Sequence, residues 1–162
     1  MNELVVIVEG ETEQTFVRDQ LAAHLALYGT SVWPVLPGRH RNHGGVKKWD
    51  VTRQDILRTL KEGRNCSTMF DYYGMPNDWP SRSDAANKPW NERATCVESG
   101  VHADITRAMG GSFNPSFFVP YVQLHEFEAL AFAKIEALAS VLSPLCSRSA
   151  ETLIIELTEV LD

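Results

Sequence analysis

The apolar run Leu4-Val5-Val6-Ile7-Val8 breaks off at Glu9-Gly10-Glu11. Consecutive, largely β-branched residues with no polar alternation belong to a strand buried on both faces, as in a parallel sheet covered by helices. The segments that follow fit that frame. A helix starts at Thr12, carries Val17, Leu21, Leu25 and Tyr28 at helical spacing, and stops at Gly29. Ser31 to Leu36 reads as a second strand, and Pro34 inside it argues for a sheet edge or an early end. The spacing predicts a helix from Val46 to Lys61, a third strand from Cys66 to Phe70 running into Asp71, and a helix through Val97, Val101, Ile105 and Met109. Phe117 to Leu124 is a fourth strand interrupted by Pro120, followed by helices over His125–Leu142 and Arg148–Leu161. The order predicts an α/β fold with a mainly parallel four-stranded sheet flanked by helices.

At 162 residues, 44% hydrophobic and 22% charged, the chain is expected to form a single domain over residues 1–162. No apolar run approaches the roughly 20 residues needed to cross a bilayer, so no membrane partner is expected. The first residues lack the basic n-region of a signal peptide. Three widely spaced cysteines, Cys66, Cys96 and Cys146, give neither a disulfide framework nor a CxxC metal site, and fit a reducing cytoplasm. The last residues, Glu159 to Asp162, read as a helix without a C-cap, so either that helix packs at the terminus or the C-terminal part is incomplete.

In parallel sheets functional groups gather at the carboxyl ends of the strands. Here those ends carry acids: Glu9 with nearby Glu13, then Asp71, then Glu126 and Glu128 flanking Phe127. Two carboxylates ~4 Å apart repel by about 4 kcal/mol at an effective dielectric near 20. Such a cluster needs basic partners or a hard cation such as magnesium, which takes oxygen ligands and leaves room for substrate phosphates. Paired divalent ions cleave phosphodiesters by activating a water and stabilising the leaving oxygen. Each acid also has a structural reading: Glu13 favours a helix dipole, and Asp71 can cap a turn. Glu9, ahead of Gly10, is the hardest to explain structurally.

Net charge is -6, yet the window from Arg39 to Arg64 holds eight basic residues against three acids. A nucleic-acid binder often carries such a basic footprint, and a solvated basic face does so as well. Within it, the loop Pro37 to Gly45 opens after the second strand, on the same edge as the carboxylates. Arg39, Arg41, Lys47 and Lys48 are the candidates for holding a phosphate backbone. His40 and His43 have metal-ligand character, but no third histidine lies nearby. Residues 71–90 read as a long loop whose Tyr72, Tyr73, Trp79 and Trp90 either pin it or stack bases. Dinucleotide, P-loop and serine-hydrolase motifs are absent from the sequence.

The motifs Val8-Glu9-Gly10-Glu11-Thr12-Glu13, Gly44-Gly45, Asp71-Tyr72-Tyr73-Gly74-Met75-Pro76 and His125-Glu126-Phe127-Glu128-Ala129-Leu130 resemble the bacterial domain-of-unknown-function 4276 family, a Toprim-like family. Toprim domains occur in topoisomerases, primases and overcoming-lysogenization-defect nucleases. The resemblance implies a Toprim-like, Rossmann-like fold, and implies that Glu9 is the catalytic acid or base and a metal ligand. It puts Glu13 at the second acid of the nuclease branch and Asp71 at the first aspartate of the DxD. The second aspartate falls on Tyr73, so a missing ligand has to come from Glu126, Glu128 or Asp78. An ATPase partner in anti-phage defence is also what the resemblance implies.

The expectation is therefore a cytoplasmic Mg2+- or Mn2+-dependent nuclease acting on nucleic acid and open to homo-oligomerisation. Its catalytic set is Glu9, Glu13, Asp71, Glu126 and Glu128, with Glu9, Glu13, Asp71 and Glu128 as metal ligands. Two alternatives remain. One is a non-catalytic module, with a degraded site, that binds nucleic acid or an ATPase. The other is a phosphohydrolase or phosphotransferase acting on small nucleotides.

Overall fold

The computed structural model describes residues 2–38, 48–125 and 134–142, together with Ser149 and Thr152. Strand β1 (Asn2–Val8) is apolar because both its faces are covered. Val5 and Ile7 enter one core and Val6 and Val8 the other, each at most 2% exposed. The second of these cores is closed by the helical stretch over residues 11–26. That stretch consists of α1 (Glu11–Phe16), a π-helical turn at Val17–Leu21, and α2 (Ala22–Ala26). Phe16, Val17, Leu21, Ala22 and Leu25 pack there against Val6, Val8 and Val32.

Strand β2 (Thr30–Val35) pairs in parallel with β1 and forms one edge of the sheet. Its edge position is what lets it carry Pro34. The chain then crosses to the other face as α3 (Trp49–Lys61) and returns as β3 (Asn65–Asp71), parallel to β1 on its other side. Helix α5 (Trp90–Met109) covers the same face as α3, through Val97, Val101 and Ile105.

The predicted fourth strand exists in two pieces, β4 (Phe118–Val119) and β5 (Val122–Gln123). Both pair in parallel with β3 at one register, Cys66 opposite Phe118 and Phe70 opposite Val122. Pro120 has no N–H to donate, so the ladder fails at that point. The Thr68 hydroxyl patches the gap: it donates to the Tyr121 carbonyl at 3.0 Å and accepts the Tyr121 N–H at 2.9 Å. The result is a mixed α/β fold with a mostly parallel sheet, strand order β2-β1-β3-β4, with β5 also beside β3 and helices on both faces.

The long segment after β3 is not structureless. It contains the short helix α4 (Arg82–Ala85), and Tyr72, Met75, Trp79 and Ala85 lie in the main core. The Trp79 ring packs 5.0 Å from Trp49 and 4.9 Å from Phe70, centroid to centroid. Gly100 of α5 makes room for the segment, since a Cβ there would stand 2.8 Å from Ser81 Cβ and 3.0 Å from the Pro80 carbonyl oxygen. By contact density the chain divides into two units, Met1–Glu126 and Phe127–Asp162. In the second unit, α6 spans Ile135–Leu142. Among the described residues no helix is long and apolar enough to cross a membrane.

Candidate functional site

From β1 the chain leaves toward β2, and from β3 it leaves toward β4, in the opposite direction. Where connections diverge in this way, a crevice opens at the carboxyl ends of the two strands. Glu9 and Asp71 occupy those two ends.

The backbone explains how they meet. The Glu9 N–H donates to the Met69 carbonyl at 3.1 Å, as the parallel ladder requires. In a regular ladder the Asp71 N–H would next donate to the Glu9 carbonyl. Instead it donates to Glu9 Oε2 at 3.0 Å. The carboxylate thus stands in for the backbone rung just where β1 bends away.

Gly10 follows in an extended conformation, φ -145°, which any residue can adopt. Its value is space. Glu13 reaches back so that its Oε2 accepts the Gly10 N–H at 3.0 Å, and that oxygen lies 3.2 Å from where a Cβ would be. This is the reach-back half of a capping box, which satisfies an N–H that the helix start leaves unpaired. Glu13 and Asp71 are each only 7% exposed.

Beside Asp71, the Tyr72 N–H donates to the Gln123 carbonyl at 2.8 Å, locking β3 to β5. Glu98 of α5 accepts the Val122 N–H at 2.9 Å. Burial pushes the Tyr121 hydroxyl above its ordinary value, and the charges of Glu98 and Asp71 push it the same way. Tyr121 therefore stays protonated, and its hydroxyl meets the Gln123 side-chain oxygen.

The structure thus brings Glu9, Glu13 and Asp71 to one sheet edge. Glu126, Glu128, Arg39, Arg41 and Lys47, as well as His40, His43 and Gly44-Gly45, lie outside the described residues. Lys48 is exposed at the N-cap of α3. The flanks of the basic loop are anchored: Asp55 accepts the Gly38 N–H at 2.7 Å, and Asp78 accepts the Trp49 N–H at 3.0 Å. Asp78 therefore serves the start of α3.

Three cations of the basic window face carboxylates. Arg53 pairs with Asp104 at 2.6 Å, Arg58 with Asp55 at 2.9 Å, and Arg64 with Glu62. They belong to the fold's own ion pairs, which narrows the footprint that the charge count implied. Burial pushes the Cys66 thiol up to about 12, so it is a core residue and no nucleophile.

Among the described residues no three His, Cys, Asp or Glu side chains are grouped to hold a metal ion. The donors at the crevice are nonetheless the right kind. Glu9 and Asp71 supply hard oxygens, and magnesium is commonly held by one or two carboxylates with waters and phosphates.

The aromatic residues separate in a way that spacing could not reveal. Tyr72 and Trp79 are 1% and 2% exposed, whereas Tyr73 and Trp90 are 53% and 63% exposed. Burial depends on which way the loop turns over α5, and adjacent residues in an irregular segment carry no periodic signal for that.

A family model described as a domain of unknown function (DUF4276) matches residues 8–153. No curated protein and no solved structure matches the chain.

Proposed function

We propose that this chain, which belongs to the DUF4276 family, is a Toprim-like nuclease dependent on magnesium or manganese. The observation that carries the reading is the meeting of Glu9 and Asp71 at the divergence of β1 and β3, with Glu9 Oε2 fixed 3.0 Å from the Asp71 N–H. A carboxylate fixed by a backbone donor is pre-oriented to take a proton from an attacking water. Asp71 and Glu9 would hold the cation, which supplies charge stabilisation at the phosphoryl oxygens. Glu13 keeps Gly10 and the helix start in position, and Glu126 or Glu128 would complete the ligand set. Lys48, with Arg39, Arg41 and Lys47, would hold the nucleic-acid backbone. The same reading carries a cytoplasmic setting, a role in anti-phage defence with an ATPase partner, and self-association as further proposals.

A second reading has its own support. Tyr73 stands where a Toprim DxD has its second aspartate, and the described residues offer no trio of ligands. On that reading the domain binds nucleic acid or an ATPase without turnover. Calorimetric titration of Mn2+ and Mg2+ into the wild-type and Asp71→Asn proteins separates the two. Saturable heat that the substitution removes is the expected result, and cleavage assays with candidate ATPases then follow. Absence of heat in both proteins would overturn the metal-dependent reading in favour of the binding module.

A further inference from the structure

Tyr73 and Trp90 leave large aromatic rings in water at the edge that carries the carboxylates. Their neighbourhood is ordered rather than incidental. The Tyr73 ring stands edge-on to Tyr72 at 5.2 Å. Tyr72 in turn is backed by Arg82, whose guanidinium carbon lies 4.0 Å from the ring centroid. Trp90 opens α5, and its ring lies 6.4 Å from that of the exposed His125. Arg93, one helical turn after Trp90, links the two halves. Its Nε donates to the Lys88 carbonyl at 3.0 Å, and its Nη1 approaches the Tyr73 hydroxyl at 3.5 Å. No carboxylate pairs with Arg93 among the described residues.

We infer that Tyr73, Trp90 and His125, with Arg93 between them, form a stacking platform for unpaired bases of a single-stranded nucleic acid. Flat rings exposed beside a guanidinium that makes no ion pair among the described residues match a polymer of π-faces and phosphates. A duplex presents only its grooves and backbone and cannot lay base faces on them. The position fits as well. Tyr73 lies two residues beyond Asp71, and His125 two beyond Gln123, the register partner of Asp71. The platform thus adjoins the ends of β3 and β5, beside the strand end that carries Asp71. The rings are set among exposed Gly74, Lys88 and Asn91, and not in the continuous apolar patch of an obligate protein interface.

The inference deepens the nuclease reading by naming its substrate class, and it rests on that reading for the identity of the polymer. Binding without metal and cleavage with metal test the two separately. Fluorescence anisotropy in EDTA would compare labelled oligo-dT and oligo-U strands with a duplex of equal length. Trp90→Ala and Tyr73→Ala are each expected to weaken single-strand binding about 5- to 150-fold, with Trp90→Phe restoring most of it. Trp33→Ala is the control, a similarly exposed indole within the edge strand β2, and should change nothing. Unchanged single-strand affinity in Trp90→Ala, or no single-strand binding by the wild-type chain, would overturn the platform and leave the rings as a protein-docking surface. Cleavage with Mn2+ that ignores these substitutions would likewise remove the platform while the nuclease reading stands. Ring-dependent binding without cleavage would keep the platform and remove the nuclease.

Discussion

The carboxylate of Glu9 and the amide of glutamine both offer an oxygen to the Asp71 N–H; they differ in charge. Glu9→Gln is therefore expected to keep the rung and the fold while abolishing the metal-dependent cleavage proposed above. Glu9→Ala should lose cleavage and also leave a part-buried N–H unpaired, at a cost of about 1–3 kcal/mol. Urea denaturation midpoints of the two variants check the difference, and equal midpoints would refute the structural half of the claim. Glu9 was legible in the sequence as an acid ending a buried strand, and its hydrogen bond was not, because that bond depends on the register of β1 against β3. Glu13 was legible as an acid in a first helical turn, and its bond to the Gly10 N–H was not. Cys66 gives a prediction from its sign. Its folded-state value, about 12, stands above the ordinary 9.0 because burial disfavours the thiolate. That contribution to stability is whole below pH 9 and is lost as pH rises toward 12. Unfolding free energy should fall above pH 9 with a limiting slope of about 1.4 kcal/mol per pH unit from this one group. Cys66→Ala should flatten the slope, and equilibrium unfolding across that range measures it.

At the scale of elements, the segment after β3 shows where composition misleads. Its prolines, Asn, Asp and Ser residues read as a loop, yet Tyr72, Met75 and Trp79 bury against β3 and α3. The aromatic content announced the anchoring, but which rings would be inside depended on tertiary contacts. The close approach of α5 to this segment runs through Gly100. Alanine there gains about 1 kcal/mol of helix propensity. It also drives a Cβ to 2.8 Å from Ser81 Cβ and 3.0 Å from the Pro80 carbonyl oxygen. Overpacking of that kind costs about 1–3 kcal/mol, so Gly100→Ala should lower the melting temperature. A methyl group at Gly111 would meet no heavy atom within 4 Å, and its alanine variant should melt no lower than wild type. Calorimetric scans of both variants decide the point. The split of the fourth strand belongs to this scale too. Pro120 announced the break, and the repair by the Thr68 hydroxyl, from a residue far away in sequence, could not be read in advance.

For the whole molecule, the alternation of apolar runs and helical periods was enough to specify an α/β fold and a largely parallel sheet, because buried parallel strands carry an unmistakable composition. Strand order was not written there. Periodicity says that β1 is covered on both faces and is silent on its neighbours. The order β2-β1-β3 is what turns separate strand-end acids into one crevice. It has another consequence, in time rather than space. Of the described strands β1 is also the first in the sequence, and its partner on one side, Asn65–Met69, emerges some sixty residues later. At about 5–20 residues per second, Leu4 to Val8 wait roughly 3–12 s with at least one edge bare. During that interval this apolar stretch depends for cover on β2 and on the helix that follows β1.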